Sequence, residues 1–500
     1  MRVRTIWLVL SAVAFGALLG VLRGEPRWNG DQGVFLSIAA RVLDGDRLYA
    51  DVIDNKDPLF FYAHAAALWI GGWRGPAALD GLWLAIAALS MALLLRELQA
   101  PPAVLVAGFF LYPLALTASW YEPGLSMLGG LAVAPLTGWL WLRGRFALSG
   151  AVLAATALLK ITVAPIAAAP VVAFLLVGSV PASRLRALGS AALGVLATLA
   201  TAGSVLALRG ELRGYIEVLA FNVRYPDDAR RVQGGSGGLA SHLDVVREFF
   251  VASGRWQLPL AVTALVFLVV ATLIGWRRGG SSFRQLAVAA VAASAAALLT
   301  LAMTAIWVHH LQMLAFPAAL IGAAAVALAA SFGRSAAAVV AGVCVVFACW
   351  ASVKQEFRVG GLASTWTHPR SSVGADLLES ARKRFHAGDR QVTYMVFGSN
   401  SENAHAVFID GAFDLECRWF HLYPNNAPEH LTETTRCGDE KQPELVLVTV
   451  GFYEPRGAGA PREWESFVAT AKDFLGSRYE LVEDSDGFQV WNRIGGGEAR

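Results

Sequence analysis

The chain has 500 residues, 56% of them hydrophobic and only 16% charged, with a mean hydropathy of +0.50. That excludes a soluble protein of this length and predicts a polytopic membrane protein. The net charge of +3 averages two unlike parts: residues 1–353 hold 25 Lys/Arg against 16 Asp/Glu, residues 354–500 hold 16 against 22. The first part reads as membrane and the second as an acidic, water-soluble domain.

The chain starts Met-Arg-Val-Arg and runs into an apolar stretch over 5–23. That stretch is long for a signal-peptide core and lacks a small-x-small cleavage site, so it is predicted as a retained first span. Further spans are predicted at 79–95, 102–119, 124–142, 147–160, 163–178, 188–208, 257–275, 286–306, 311–331 and 336–353. Each approaches the roughly 20 residues that cross about 30 Å of hydrocarbon. Residues 59–73 are too short for a crossing and read as a surface or half-inserted helix.

That choice puts the short basic loops on one side. They carry Arg2, Arg4, Arg96, Arg143, Arg145, Arg184, Arg186, Arg277, Arg278, Arg284 and Arg334 against a single acid, Glu97. The positive-inside rule then places the N-terminus in the cytoplasm and residues 354–500 outside. A first outer loop over 24–78 and a second, larger one over 209–256 follow.

The first outer loop contains WNGDQGVFLSIAARVLDGDRLYADVIDNKDPLFFY, residues 28–62. Asp31 sits in a Gly-flanked turn and reads equally as a cap for the next helix or as a general base with a raised pKa at the interface. Val34, Phe35, Ile38, Ala39, Val42 and Leu43 form one helical stripe suited to a bilayer surface. Lys56, ahead of Asp57-Pro58, is either a solvated lysine or a cation aimed at a phosphate.

Farther along, Glu122 in SWYEPG either caps a helix or belongs to a site. Lys160 closes the apolar run LAATALLK and either snorkels outward or meets an anion in a pocket. The 209–256 loop has an ordered-looking half with Arg224 and Tyr225, then a Gly/Ser-rich segment, QGGSGGLAS, suited to a mobile lid. Arg230 and Arg231 suit anionic headgroups. Adjacent His309 and His310 point in different directions on a helix, which argues against a paired metal site and leaves one of them able to bond a phosphate or sugar.

Residues 354–500 are predicted as a small α/β domain: helices near 373–387, 402–409 and 462–475, with strands at QVTYMVF, around FDLECRWF, at ELVLVTV and at GFQVWNR. Cys417 and Cys437 lie outside the spans and are expected to pair in an oxidising compartment, whereas Cys344 and Cys349 are apolar residues of the last span. No P-loop, HExxH or zinc-type Cys spacing occurs, so a nucleotide-driven or zinc-hydrolase mechanism is not indicated, and neither a cofactor nor a nucleic-acid partner is expected.

The pattern Leu48, Tyr49, Asp51, Lys56, Pro58, Leu59, with Tyr62 one place beyond the last tyrosine, resembles the LY-x-D-x-x-x-x-K-P-P-L-x-Y motif of bacterial family 39/83 glycosyltransferases of the GT-C fold. These are relatives of protein O-mannosyltransferases and the lipid A aminoarabinose transferase. The acid before Pro123, Lys160, AFNVRYP in the second loop and HLQMLAFP at 310–317 extend the resemblance over roughly residues 1–350. Three positions depart from it: Asp57 replaces the first proline, Gln32 replaces a second acid, and Glu122 stands where Asp is common.

The resemblance implies transfer of a sugar from a polyprenyl-phosphate donor to a glycan, lipid or protein acceptor at the outer face of a bacterial cytoplasmic membrane. Asp31 would be the base and Glu122 its orienting partner. Lys56, Lys160 and Arg224 would face the donor phosphate, and Tyr62, Tyr225 and His310 the substrates. Loss of the second acid at Gln32 weakens any divalent-cation role. Three other readings remain open: a polymerase or ligase using lipid-diphosphate glycans, expected to show a large arginine-rich outer loop; a transporter, expected to show ionisable residues at the midplane and repeated halves; and a receptor-like or scaffold role for the C-terminal domain, which would leave the loop carboxylates dispensable.

Overall fold

The computed structural model describes residues 2–22, 30–118, 126–177, 183–232, 281–303, 308–359, 392–397, 413–419, 428–449, 462–485 and 488–494. In chain order the helices are α1 Arg2–Leu22, α2 Gly30–Leu43, α3 Pro58–Gly71, α4 Gly75–Glu97, α5 Pro102–Ala118, α6 Ser126–Leu142, α7 Phe146–Leu159 and α8 Ala164–Leu176. They continue as α9 Arg184–Leu208, α10 Leu212–Val232, α11 Ser281–Met303, α12 Ala315–Ala330, α13 Arg334–Val359, α14 Pro428–Lys441 and α15 Arg462–Arg478. The strands are β1 Val392–Phe397, β2 Phe413–Leu415, β3 Leu445–Thr449, β4 Tyr479–Ser485 and β5 Phe488–Arg493.

The chain divides into two compact units that do not follow chain order. One comprises Met1–Glu25, Trp73–Ser204 and Asp244–Trp366; the other comprises Pro26–Gly72, Val205–Leu243 and Thr367–Arg500. The linear segments 1–353 and 354–500 are therefore interleaved: residues 26–72 and 205–243 group with 367–500, and 354–366 group with the helical unit.

The first unit is a bundle of apolar helices. Ten of the eleven apolar stretches read from the sequence fall on described helices, and 257–275 lies outside the described residues. Among the described residues five helices are long and apolar enough to cross a membrane: Gly75–Glu97, Arg184–Leu208, Ser281–Met303, His310–Ala330 and Arg334–Val353. With 14 and 13 residues, α7 and α8 rise only about 20 Å each, short of a crossing by themselves.

Small residues set the packing of this bundle. A side chain at Gly16 of α1 would meet the Gly81 carbonyl oxygen of α4 at 2.4 Å, so only glycine lets these backbones touch. Buried hydroxyls pair across helices in places, as in Thr117 on α5 with Ser352 on α13 at 2.6 Å. Arg96, Arg143, Arg145, Arg184, Arg186, Arg284 and Arg334 are all exposed at or beside helix ends.

In the second unit, α2 packs against α3 through Phe35, whose ring lies edge-on to Phe60 at 5.0 Å. The predicted stripe is largely buried, but Leu36 and Ser37 on other faces are buried as well. The helix is therefore enclosed by protein more fully than a surface-lying helix would be. Ser37 is tolerated there because its hydroxyl bonds back to the Gly33 carbonyl at 2.8 Å.

The C-terminal segment forms a five-stranded sheet in the order β2-β1-β3-β5-β4, parallel across β2-β1-β3 and antiparallel beyond. Its core joins Phe397 of β1 to Phe467 and Phe474 of α15. Two elements were not foreseen. The helix α14 is polar and buries only Leu431 and Thr434 of its hydrophobic and polar side chains, so it lacks an apolar stripe. The strand β4 carries Glu480, Glu483 and Asp484, charges suited to a sheet edge. The pair of strands expected around FDLECRWF is one short strand, and the helices expected near 373–387 and 402–409 lie outside the described residues.

Candidate functional site: the 44–57 segment and its supports

The segment 44–57 links α2 to α3 and is held in one conformation by long-range bonds. Tyr49 is fully buried with φ +66°, a left-handed backbone that a bulky residue adopts only when its surroundings enforce it. Its amide donates to the Val52 carbonyl at 2.6 Å, and its hydroxyl donates to the Lys56 carbonyl at 2.7 Å. The Tyr215 ring of α10 lies 5.3 Å from the Tyr49 ring. A side chain at Gly214 would lie 2.3 Å from the Tyr49 carbonyl oxygen, so glycine is required for this approach.

Two buried acids anchor the ends of the segment. Asp57, the departure from the proline of the family motif, accepts a hydrogen bond from the Tyr215 hydroxyl at 3.0 Å. Glu211, directly before α10, is fully buried and accepts from three donors: the Leu48 amide at 3.1 Å, Arg209 Nε at 2.7 Å and the Tyr62 hydroxyl. A buried carboxylate is stable only when its lone pairs are met in this way. Burial, reinforced by Asp57 for Tyr215 and by Glu211 for Tyr62, pushes both phenols well above their ordinary range. Both therefore remain donors throughout the working pH range.

Lys56 is half-buried in the middle of this framework. Its ammonium lies 2.5 Å from Asn55 Oδ1, 3.6 Å from Asp54 Oδ1 and 5.0 Å from the centre of the Phe35 ring. Asn222, within the AFNVRYP stretch of α10, donates to the Asn55 carbonyl at 2.9 Å. Lys56 is thus set in place from both sides by Asp54, Asn55, Phe35 and, through the backbone, Asn222.

The other sequence-predicted residues are placed as follows. Asp31 is the second residue of α2, and Arg224 and Tyr225 are on α10; their side chains, like that of His309, lie outside the described residues. Glu122 and the Gly/Ser-rich 233–241 segment lie wholly outside them. In the helical unit, Lys160 occupies the break between α7 and α8 with extended backbone, φ −162° and ψ 106°, and its side chain is half-buried. His310 is buried in the 3-10 helix Val308–Leu314 that precedes α12, next but one to Gln312, whose amide nitrogen reaches the Leu116 carbonyl at 3.4 Å. Among the described residues no group of three or more His, Cys, Asp or Glu is arranged to hold a metal ion.

Sequence reasoning missed Glu211, Tyr215, Asn222 and Arg418, the residues that hold the loop. Arg418, in the stretch after β2, donates to the Tyr49 carbonyl at 3.2 Å, to Glu217 of α10 at 3.2 Å, and by two nitrogens to Glu433 of α14 at 2.5 and 2.8 Å. Cys417 and Cys437 are joined in a disulfide beside it.

No protein-family model matches the chain, and no curated protein matches it. Solved structures do. ArnT from Cupriavidus metallidurans bound to undecaprenyl phosphate superimposes with a TM-score of 0.57 at 13% identity, over 98% of each chain. The chain has a GT-C fold. The same ArnT in the apo state gives a TM-score of 0.52 at 14% identity, again over 98% of each chain. The oligosaccharyltransferase from Archaeoglobus fulgidus, in complex with zinc and sulfate, gives 0.51 at 14% identity, over 96% of this chain and 72% of that one. The protein is accordingly a multi-pass helical membrane protein of GT-C type.

Proposed function

We propose that the protein is a membrane glycosyltransferase that moves a sugar from a polyprenyl-phosphate donor to a glycan, lipid or protein acceptor on the outer face of the bacterial cytoplasmic membrane. The observation that carries this reading is the end-to-end fold match to ArnT bound to undecaprenyl phosphate, in a chain whose first outer loop bears the Leu-Tyr…Lys-x-Pro-Leu motif. The proposed topology has eleven spans, the N-terminus in the cytoplasm and the C-terminal sheet outside. The exposed arginines at the helix ends support that orientation.

In the proposed reaction Asp31 takes the proton from an acceptor hydroxyl or amine as that group attacks the anomeric carbon. The bond from that carbon to the phosphate oxygen breaks, and the polyprenyl phosphate leaves with the bonding electrons. Lys56, Lys160 and Arg224 offset the charge gathering on the phosphate, and fixed cations in a water-poor site contribute several kcal/mol to such a barrier. Glu122 orients Asp31 or the acceptor, while Tyr62, Tyr225 and His310 contact the substrates. Tyr62 does so with its ring, its hydroxyl being committed to Glu211. A single displacement inverts the anomeric configuration.

The test is turnover of polyprenyl-phosphate sugars by the full chain in nanodiscs, with lipid-diphosphate glycans as the competing donor class. Asp31→Asn is expected to lower the rate by roughly a hundredfold or more, the range for loss of a general base. Undiminished transfer by a folded Asp31→Asn protein overturns the assignment of the base. Turnover only with lipid diphosphates overturns the donor class.

A further inference from the structure

The C-terminal sheet meets the first-loop segment along one short stretch, residues 413–419, at three points. Asp414 Oδ1 pairs with Arg41 at the end of α2 at 2.6 Å. The Arg418 carbonyl accepts from the Ile53 amide at 2.9 Å, which extends the sheet edge by a parallel bridge between Ile53 and Trp419. The Arg418 guanidinium reaches the carbonyl of Tyr49, the residue held in the left-handed region, at 3.2 Å.

The same stretch is fastened twice to one helix. On α14, Glu433 takes two bonds from Arg418 and one from Trp419 Nε1 at 2.9 Å, and one turn later Cys437 is disulfide-bonded to Cys417. His430, a turn earlier, stacks on Trp419 with ring centres 3.9 Å apart. Arg418 Nη2, one of the two nitrogens on Glu433, also donates to Glu217 of α10, the helix that supplies Tyr215 to Asp57 and Asn222 to Asn55. The planar, five-donor guanidinium grips Glu433 with two nitrogens and still reaches Tyr49 and Glu217, a geometry that a compact ammonium does not reproduce.

We infer that Arg418 is a positioning residue for transfer: it pins the 47–57 segment between α10 and the C-terminal sheet, and so fixes where Lys56 and Asp57 stand relative to the donor. This rests on the glycosyl-transfer reading for its catalytic consequence but not for its structural one. The C-terminal sheet is on this account a working part of the site, and the Cys417–Cys437 bond keeps Arg418 in register with it.

The experiment uses the full chain in nanodiscs with two readouts. Amide hydrogen exchange over residues 47–57 reports the hold on the segment, and kcat and KM for a polyprenyl-phosphate sugar report its consequence. Arg418→Ala is expected to speed exchange of the Ile53 amide at least tenfold and to lower kcat/KM by roughly ten- to a hundredfold, the range for a displaced positioning group. Arg418→Lys, which keeps the charge without the fork, is expected to recover only part of either. Arg478→Ala, which removes the exposed pair with Asp439 elsewhere in the sheet domain, should move neither.

Unchanged exchange over 47–57 in Arg418→Ala or Arg418→Lys overturns the inference, as does faster exchange with unaltered kcat/KM. If the unsubstituted protein turns over no polyprenyl-phosphate sugar, the functional reading fails by itself. The exchange arm still decides whether Arg418 holds the segment.

Discussion

The Tyr215 hydroxyl donates to the Asp57 carboxylate at 3.0 Å across 158 residues of sequence. Asp57 stands where the related motif has a proline, and a buried acid there needs a partner that a proline does not. Tyr215 of α10 supplies it. Tyr215→Phe is therefore expected to destabilise the protein by about 1–3 kcal/mol, the cost of leaving a buried acceptor short of a donor. Thermal unfolding of Tyr215→Phe, Asp57→Asn and the double variant checks this. The two changes should be less than additive, with a coupling of about 0.5–3 kcal/mol; strict additivity would mean that the pair is not coupled.

Glu211 makes a sharper case because its carboxylate is inaccessible and receives an amide, a guanidinium and a phenol. Glu211→Gln keeps the shape but turns one acceptor into a donor that faces Arg209 or Tyr62. A loss of about 2–3 kcal/mol is expected, the upper range for a buried polar group left facing donors it cannot satisfy. Tyr62→Phe removes one donor of three and should cost less, about 1–2 kcal/mol. Chemical denaturation in detergent micelles ranks the two, and the opposite order would show that Tyr62 rather than Glu211 organises the cluster.

Acid should loosen the same region. The Arg47 side chain and amide hold the Asp51 carboxyl below its ordinary value. For Glu433 burial acts upward, yet the bonds from Arg418 and Trp419 outweigh it and leave this carboxyl lowered as well. A group lowered in the folded state stabilises it above the ordinary carboxylate range, and that contribution is lost as pH falls through the folded value. Exchange protection of residues 47–57 and Trp419 fluorescence should thus hold above about pH 5 and decline below about pH 4. In Arg418→Ala burial acts on Glu433 without its main offset, so this carboxyl is no longer held low and its share of the acid decline should disappear, leaving a shallower transition. A transition that is unaltered in this variant would place the acid sensitivity elsewhere.

Much of the bundle was legible because hydropathy is a local property: an apolar run such as 102–119 must be a helix wherever it packs, and α5 spans Pro102–Ala118. The buried strand at Leu445–Thr449 was legible for the same reason. What holds the loop was not. Glu211 and Tyr62 are 149 residues apart, and nothing in RGELRGYIE marks its glutamate as buried rather than solvated. Nor does PEHLTETTRCGDEK show an apolar stripe; its helix is fixed by the disulfide and by Glu433 facing Arg418, both tertiary facts. Lys56 could be singled out by its motif, but its neighbours Asp54, Asn55 and Phe35 had no visible part in it.

Gly214 offers the most local test of whether the shape of the loop governs its chemistry. It opens α10, and any side chain there would run into the backbone of Tyr49, whose left-handed conformation leaves little freedom to retreat. In a helix, Gly→Ala is ordinarily favourable by about 1 kcal/mol. Here the gain should be reversed, because a Cβ at 2.3 Å from the Tyr49 carbonyl oxygen and 2.7 Å from the Tyr49 Cβ forces α10 and the 47–57 segment apart. Overpacking of this kind costs about 1–3 kcal/mol. The displacement also pulls Tyr215 from Asp57 and Asn222 from the Asn55 carbonyl, so kcat should fall more than stability alone accounts for. Measuring both on one preparation separates the effects: a Gly214→Ala protein that is more stable and fully active would show that the contact yields freely and that the loop is not held as described.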